Sequence, residues 1–178
     1  EVTDVANAVY EQVDAIMLSG EISIGKYPKI CVEVADRIAC RIERSGGANF
    51  HKTAQLEDPR EKLARAAVRM ANDLQAQAIV VFTEKGRMVD LAAWMRPRQS
   101  LIYAICPDEI TAGAQAIFRA VCPIVLPLDY SNPGQSMDEA LLHLVNNGCL
   151  VKDDRVVLIS SVAAVEDISD SIQMRVID

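Results

Sequence analysis

Two short segments carry residue types that could do chemistry. The first is an apolar run, Asp14-Ala-Ile-Met-Leu18, which ends in Ser19-Gly20-Glu21. A short apolar run followed by a polar glycine turn is typical of a buried parallel strand. The hydroxyl and the carboxylate would then lie at the carboxyl end of that strand, where parallel α/β proteins place reactive groups. An ordinary strand-to-helix turn has the same composition, so the residues alone leave both interpretations open.

The second segment is Thr83-Glu84-Lys85-Gly86-Arg87, which follows an apolar run and precedes a helical pattern. Backbone N–H groups at the start of a helix suit a phosphate, and Lys85 and Arg87 add positive charge. Glu84 adds a negative charge, which would repel an anion by on the order of a few kcal/mol in a partly buried site. The segment is therefore either an anion site or a plain strand–helix turn.

The elements around the second segment alternate regularly between strand and helix. Such alternation predicts a mostly parallel sheet covered by helices on both faces. The last two strands have no helix between them, so we expect the final strand to be antiparallel at one edge. The predicted helices span about 59–75, 86–95, 109–120 and 136–148, and the predicted strands span 78–82, 100–105, 124–128, 155–160 and 172–177.

The first 45 residues have a different order of predicted secondary-structure elements. Apolar spacing predicts a helix over 2–12, a strand over 14–18 and a second helix that begins at Pro28 and ends at Gly46-Gly47. One strand cannot bury both of its faces, so this part needs partners that the chain does not supply. The stretch 46–58 lacks periodicity and is interpreted as a linker.

Composition narrows the class of protein. The chain has 178 residues, 51% of them hydrophobic, and a net charge of −7, which is typical of a globular protein and argues against a nucleic-acid surface. No apolar run approaches the roughly 18 residues that span a bilayer, so we expect no membrane partner. Five cysteines without CxxC spacing and two distant histidines indicate reduced core thiols and no metal site in this chain. Trp94, on an apolar helix face, is expected to pack in the core.

Several stretches resemble the pyruvate kinase family, the first of them nearly letter for letter. The resemblance implies an α/β fold that consists of the last helix–strand–helix of a (β/α)8 barrel and a three-layer α/β domain. That second domain has a five-stranded, mostly parallel sheet with an antiparallel edge strand. The implied domains are 1–46 and 47–178, within a longer protein. The matching stretches are Glu1–Val9, Asp14–Glu21, Gly25–Pro28, Met95–Pro97 and Met174–Val176.

The resemblance also implies an activity. Members of the family move a phosphoryl group from phosphoenolpyruvate to ADP and protonate the enolate, which gives pyruvate and ATP in glycolysis. Mg²⁺, K⁺ and the transition-state lysine are held by earlier parts of the barrel, outside this chain. Ser19 matches a serine near the water network that protonates the enolate, and we expect it to contribute to catalysis. Glu21 is expected to hold its loop in shape by accepting backbone hydrogen bonds.

Further implications concern the whole protein. The family is allosteric and typically a homotetramer, so we expect a homo-oligomer, located in the cytoplasm or in a plastid. This piece alone is expected to lack kinase activity. The alternative is a stand-alone regulatory or interaction module that keeps the fold and binds a phosphorylated small molecule or a protein partner.

The chain departs from the family pattern at two places that hold a sugar-phosphate effector. The family loop reads Thr-x-Ser/Thr-Gly-x-Ser/Thr, and this chain keeps Thr83 and Gly86 but has Lys85 and Met88 where hydroxyls are expected. The loop over 160–170 that closes on the effector has no glycine and carries three acids. Both departures argue against a fructose bisphosphate effector, although Lys85 and Arg87 could bind a different anion.

Overall fold

The computed structural model describes residues 1–127, 129, 132–163 and 168–178, with the backbone alone for 161–163 and 168–169. These residues divide into two compact units, Glu1–Ala54 and Gln55–Asp178. The division falls within the predicted linker over 46–58.

The first unit is helical. The helices predicted over 2–12 and from Pro28 are confirmed, and the first packs against the second. Two single-turn helices were not predicted, one at the polar glycine turn and one in the linker. The helices are α1 Val2–Tyr10, α2 Gly20–Ser23, α3 Pro28–Glu43 and α4 Phe50–Thr53.

The strand predicted over 14–18 is wrong. Between α1 and α2 the chain joins no sheet ladder within the described residues, and the five strands that do pair all lie in the second unit. An extended segment becomes a β-strand only when a neighbouring strand receives its N–H and C=O groups. Residues 1–54 contain no second strand, so the apolar run has nothing to pair with in its own unit.

The second unit is the predicted five-stranded sheet with helices on both faces. The strand order is β3-β2-β1-β4-β5, and every neighbouring pair is parallel except β4 and β5, which are antiparallel. The antiparallel edge strand is therefore confirmed. The strands are β1 Ala78–Phe82, β2 Leu101–Cys106, β3 Val121–Val125, β4 Arg155–Ala163 and β5 Ile168–Val176, and the helices are α5 Pro59–Leu74, α6 Arg87–Trp94, α7 Glu109–Gln115 and α8 Pro133–Asn146.

The core forms two layers because side chains alternate across the sheet. On β1, Ile79 and Val81 point into a cluster with α5, α6 and α7. Ala78 and Val80 point into a second cluster, which is covered by α8. The central strand is thus buried on both faces, as its continuous apolar sequence predicts.

Strand β3 begins earlier than predicted. It spans Val121–Val125 rather than 124–128, and Leu128 lies outside the described residues. Pro123, which lacks an N–H donor, lies within the strand rather than before it. Because β3 is at the edge of the sheet, a proline is tolerated within it.

Two predicted burial patterns differ from the structure. The apolar spacing of α5 predicts an inward face at Leu63, Ala66, Ala67 and Met70; Ala67 is buried and Leu63 packs partly buried against the core, but Ala66 and Met70 are exposed. The other buried residues of α5 are Ala64, Val68 and Ala71. A stripe of small residues lets this helix approach the sheet closely. Trp94 is 61% exposed rather than packed in the core, because it ends α6 beyond the residues of that helix that face the sheet.

Helix α5 begins with a capping box, which generates a test. The Asp58 carboxylate accepts from the Arg60 N–H at 2.8 Å, and the Glu61 carboxylate accepts from the Asp58 N–H at 3.3 Å. We expect Asp58→Ala to lower the free energy of unfolding by about 1 kcal/mol, because helix N–H donors lose their acceptor. Urea denaturation, monitored by circular dichroism, measures this loss.

Asp73→Ala is the matched control for this prediction. Asp73 lies at the other end of α5 in an exposed ion pair with Arg69, with 3.7 Å between Nε and Oδ2. Exposed pairs of this kind contribute little to stability. Equal losses from the two substitutions would contradict the capping role.

Candidate functional site

The carboxyl end of β1 leads into a tight turn that is fixed by hydrogen bonds. Thr83 is only 7% exposed, and its N–H donates to the Ile105 carbonyl on β2 at 3.1 Å. Its hydroxyl accepts from the Gly86 N–H at 2.8 Å. Thr83 therefore ties the turn both to the sheet and to the start of α6.

Gly86 is the residue at which the chain turns into α6. Its φ is +84°, in the left-handed region that favours glycine, and its carbonyl accepts from the N–H groups of Val89 and Asp90. The side chains of Lys85 and Arg87 are exposed on either side of it. All four candidate anion-binding residues, Thr83, Lys85, Gly86 and Arg87, thus lie in one ordered turn, and exposed Glu84 lies there with them.

One residue in this site was missed by sequence reasoning. Gln115, from α7, lies so close to Gly86 that a Cβ atom on Gly86 would overlap its amide nitrogen and lie 2.9 Å from its Cδ. The side chain is 4% exposed, and its Oε1 has no hydrogen-bond donor among the described residues. A buried acceptor without a partner costs roughly 1–3 kcal/mol. No local pattern on α7 signals this contact, because it depends on how α7 lies beside the start of α6.

Met88 marks a further departure from a phosphate-binding turn. It is buried in the cluster under α6, so the position that carries a hydroxyl in the family pattern faces the core here. The closing loop expected over 160–170 is described only in part, because residues 164–167 lie outside the described residues. At its end, the Asp170 carboxylate is 3.1 Å from the Arg60 Nε.

The second candidate segment places Ser19 and Glu21 at the start of α2. The Glu21 carboxylate accepts from the Ser19 N–H at 3.0 Å, and the two side chains are 3.5 Å apart. Hydrogen bonds from the backbone N–H groups of Glu21 itself and of Ser19 lower the pKa of the Glu21 carboxyl. The expectation that Glu21 holds this loop by accepting backbone hydrogen bonds is confirmed.

The cysteines are all free thiols, as expected, but most are not core residues. Cys106 is buried, whereas Cys40 and Cys149 are exposed. Burial raises the pKa of the Cys106 thiol to about 11, which keeps it protonated and inert. In the part of the chain that is described, no three His, Cys, Asp or Glu side chains are grouped so that they could hold a metal ion. None of the helices described is both long and apolar enough to cross a membrane.

The fold defines a class. A mostly parallel five-stranded sheet with an antiparallel edge pair and helices on both faces is a three-layer α/β domain. The family model described as "Pyruvate kinase, alpha/beta domain" matches residues 61–173. The chain belongs to the pyruvate kinase family.

Individual relatives agree with this assignment. Pyruvate kinase isozyme G, chloroplastic, from Ricinus communis is 37% identical over 164 residues, which cover 90% of this chain and 38% of the relative. A cytosolic pyruvate kinase isozyme from Glycine max is 37% identical over 143 residues, covering 70% and 28%. A pyruvate kinase from Mycobacterium intracellulare is 33% identical over 163 residues, covering 90% and 34%. The chain spans roughly a third of the length of these relatives.

The contact between Gly86 and Gln115 generates a stability prediction. We expect Gly86→Ala to lower the free energy of unfolding by about 1 kcal/mol more than Gly148→Ala, measured by urea denaturation. Both glycines have positive φ, at +84° and +69°, so both variants are strained, but only the new methyl at 86 meets another side chain. This additional loss of stability is at the low end of the range for overpacking, because the end of the flexible Gln115 side chain can move away from the new methyl group.

A double-mutant cycle isolates the contact. In a Gln115→Ala background the methyl at position 86 has free space, so Gly86→Ala should then cost no more than Gly148→Ala. An excess that persists without the glutamine would show that another group, not Gln115, restricts this position.

The Glu21 hydrogen bonds generate a pH prediction. In an NMR titration of its side-chain carboxyl carbon, Glu21 should have a midpoint below the ordinary 4.5. A depressed pKa means that the carboxylate stabilises its loop above pH 4.5, and that this contribution is lost as pH falls through the lower folded pKa. Ser19→Ala should leave the midpoint still depressed, because the backbone N–H donors are the larger causes. A midpoint at or above 4.5 in the unsubstituted chain would show that these hydrogen bonds do not form.

Proposed function

We propose that this chain is the C-terminal part of a pyruvate kinase that transfers the phosphoryl group of phosphoenolpyruvate to ADP. The products would be pyruvate and ATP. Family membership supports the reaction class, and the limited coverage of longer relatives supports the view that the chain is a part of the enzyme. The observation that carries the proposal is the state of the first unit, in which no side chain of residues 1–54 is buried.

A helical unit without a core indicates missing partners. Met17 is 89% exposed, although it belongs to the apolar run that is predicted to be a buried strand, and Ile24, just after the glycine turn, is 90% exposed. Exposed large apolar side chains in such numbers are characteristic of surfaces that another part of a protein covers. The remaining strands of a (β/α)8 barrel would supply that cover and would also pair the extended run over 14–18.

Within that barrel, Ser19 would lie at the carboxyl end of the last strand, the end at which barrel enzymes carry out their chemistry. Phosphoryl transfer depends on positioning and on neutralisation of charge by cations, and in this proposal the Mg²⁺ and K⁺ ligands lie outside the chain. Ser19 would take part in the water network that delivers a proton to the enolate carbon. Glu21 would keep Ser19 in place through the hydrogen bond from the Ser19 N–H.

The oligomeric state and the location of the enzyme follow from the same proposal. A homotetramer would cover part of the exposed apolar surface with neighbouring subunits. Because the similar proteins include a chloroplastic and a cytosolic isozyme, the location proposed is the cytoplasm or a plastid.

The second candidate is a regulatory module that binds a phosphorylated small molecule or a protein partner. It is favoured by one observation, the ordered turn in which Thr83 fixes Gly86 while Lys85 and Arg87 remain exposed. This function does not require a barrel, so the two candidates differ in what must precede Glu1.

An activity assay separates the two candidates. We expect the 178-residue chain alone to form no pyruvate in a lactate dehydrogenase-coupled assay, because the cation ligands and the transition-state lysine are absent. Joined behind the N-terminal portion of the Ricinus communis relative, at the aligned position, the same chain should restore turnover. A Ser19→Ala version of this chimaera should be slower by at least about tenfold.

Ser23→Ala is the matched control, because Ser23 is an exposed serine at the other end of α2. Its turnover should equal that of the unsubstituted chimaera. Pyruvate formation by the chain alone would overturn the proposal that it is an incomplete part of the enzyme.

A further inference from the structure

We propose that the Gln115 side chain is a built-in block that closes the Thr83–Arg87 turn to anions. In this view a phosphate-type ligand reaches the start of α6 only after Gln115 rotates away. The inference rests on the anion-binding turn described above as the second candidate function, and it adds the residue that controls access to that turn.

The proposed block is steric. Gln115 approaches Gly86 so closely that even one methyl group on the glycine would overlap its amide nitrogen. Gly86 is the N-cap of α6, so the amide meets the chain at the residue that directly precedes the first-turn N–H groups that an anion would use. The Gly86 N–H already donates to the Thr83 hydroxyl, which leaves the first-turn N–H groups of Arg87 and Met88 as the donors for a ligand.

The charges of the turn do little to attract an anion while Gln115 occupies this space. Glu84, exposed in the turn, adds a full negative charge. The positive charges of Lys85 and Arg87 lie outside the contact, in solvent, where screening weakens them.

The closed state carries a cost that makes the block reversible. The Gln115 Oε1 is buried without a donor within the described residues, so it has lost its hydrogen bonds to water without replacement. Rotation of the side chain into solvent would restore those hydrogen bonds. The open state is therefore accessible, and an anion that binds only the open state would shift the population towards it.

The test is a titration of the full chain with inorganic phosphate, followed by the backbone amide NMR signals of Gly86, Arg87 and Met88. Gln115→Ala removes the block, and Gln115→Ser provides a second shortened side chain in case the alanine variant does not fold. Gln115→Met keeps the volume without the amide. Gln77→Ala is the control, because it makes the same substitution at an exposed glutamine.

We expect the two shortened variants to bind phosphate at least about tenfold more tightly than the unsubstituted chain, which corresponds to 1.4 kcal/mol. Gln115→Met and Gln77→Ala should behave like the unsubstituted chain. If Gln115→Met also bound phosphate more tightly, side-chain volume at position 115 would not exclude the anion, and the proposed block would be overturned.

The remaining outcomes separate this inference from the function on which it rests. Equal phosphate affinities in all variants, with shifts at Arg87 and Met88, would overturn the role of Gln115 and leave the anion-binding turn intact. No shift in any variant, including a Glu84→Gln/Gln115→Ala double variant, would overturn both. The kinase assignment is tested by turnover and does not depend on either result.

Discussion

The requirement that an extended backbone pair its N–H and C=O groups governs this chain. Strand β1 meets it on both sides, because β2 and β4 run parallel to it in continuous register. The pairing continues past the end of the strand, where the Thr83 N–H still donates to Ile105. The run over 14–18 has an equally apolar sequence but no neighbour in its own unit, and it forms no strand. Sequence supplies the capacity for a strand, whereas partners decide whether it forms.

The turn after β1 shows how a rigid frame can limit chemistry as well as enable it. The Thr83 hydroxyl and the left-handed Gly86 present the start of α6 in an orientation that suits an anion. Gln115 then covers that same position with an amide whose oxygen meets no donor in the described part of the chain. A well-formed backbone cradle is therefore insufficient for binding, because side chains from a neighbouring helix determine whether a ligand can reach it.

Much of the second unit was predictable, because alternating strand and helix patterns reflect local periodicity that survives folding. The element order and the antiparallel edge follow directly from it. The predictions that were wrong depended on contacts between residues that are far apart in the sequence. Strand β3 was predicted to begin at residue 124, after Pro123, and only the sheet order reveals that β3 is an edge strand that tolerates proline. The inward face of α5 was predicted only in part: Ala67 is buried and Leu63 packs against the core, but Met70 is exposed and smaller side chains take the remaining inward positions. The Gln115 contact has no local signal at all.

The exposure of Trp94 has a practical consequence for spectroscopy of this chain. It is the only tryptophan in the sequence, and more than half of its side chain is in solvent. Its emission maximum in the folded chain would therefore already resemble that of an indole in water, and unfolding would change it little. Conversely, any molecule that covers the end of α6 would shift the emission to shorter wavelength. The residue is a poor reporter of folding and a sensitive reporter of contact at one defined place on the surface.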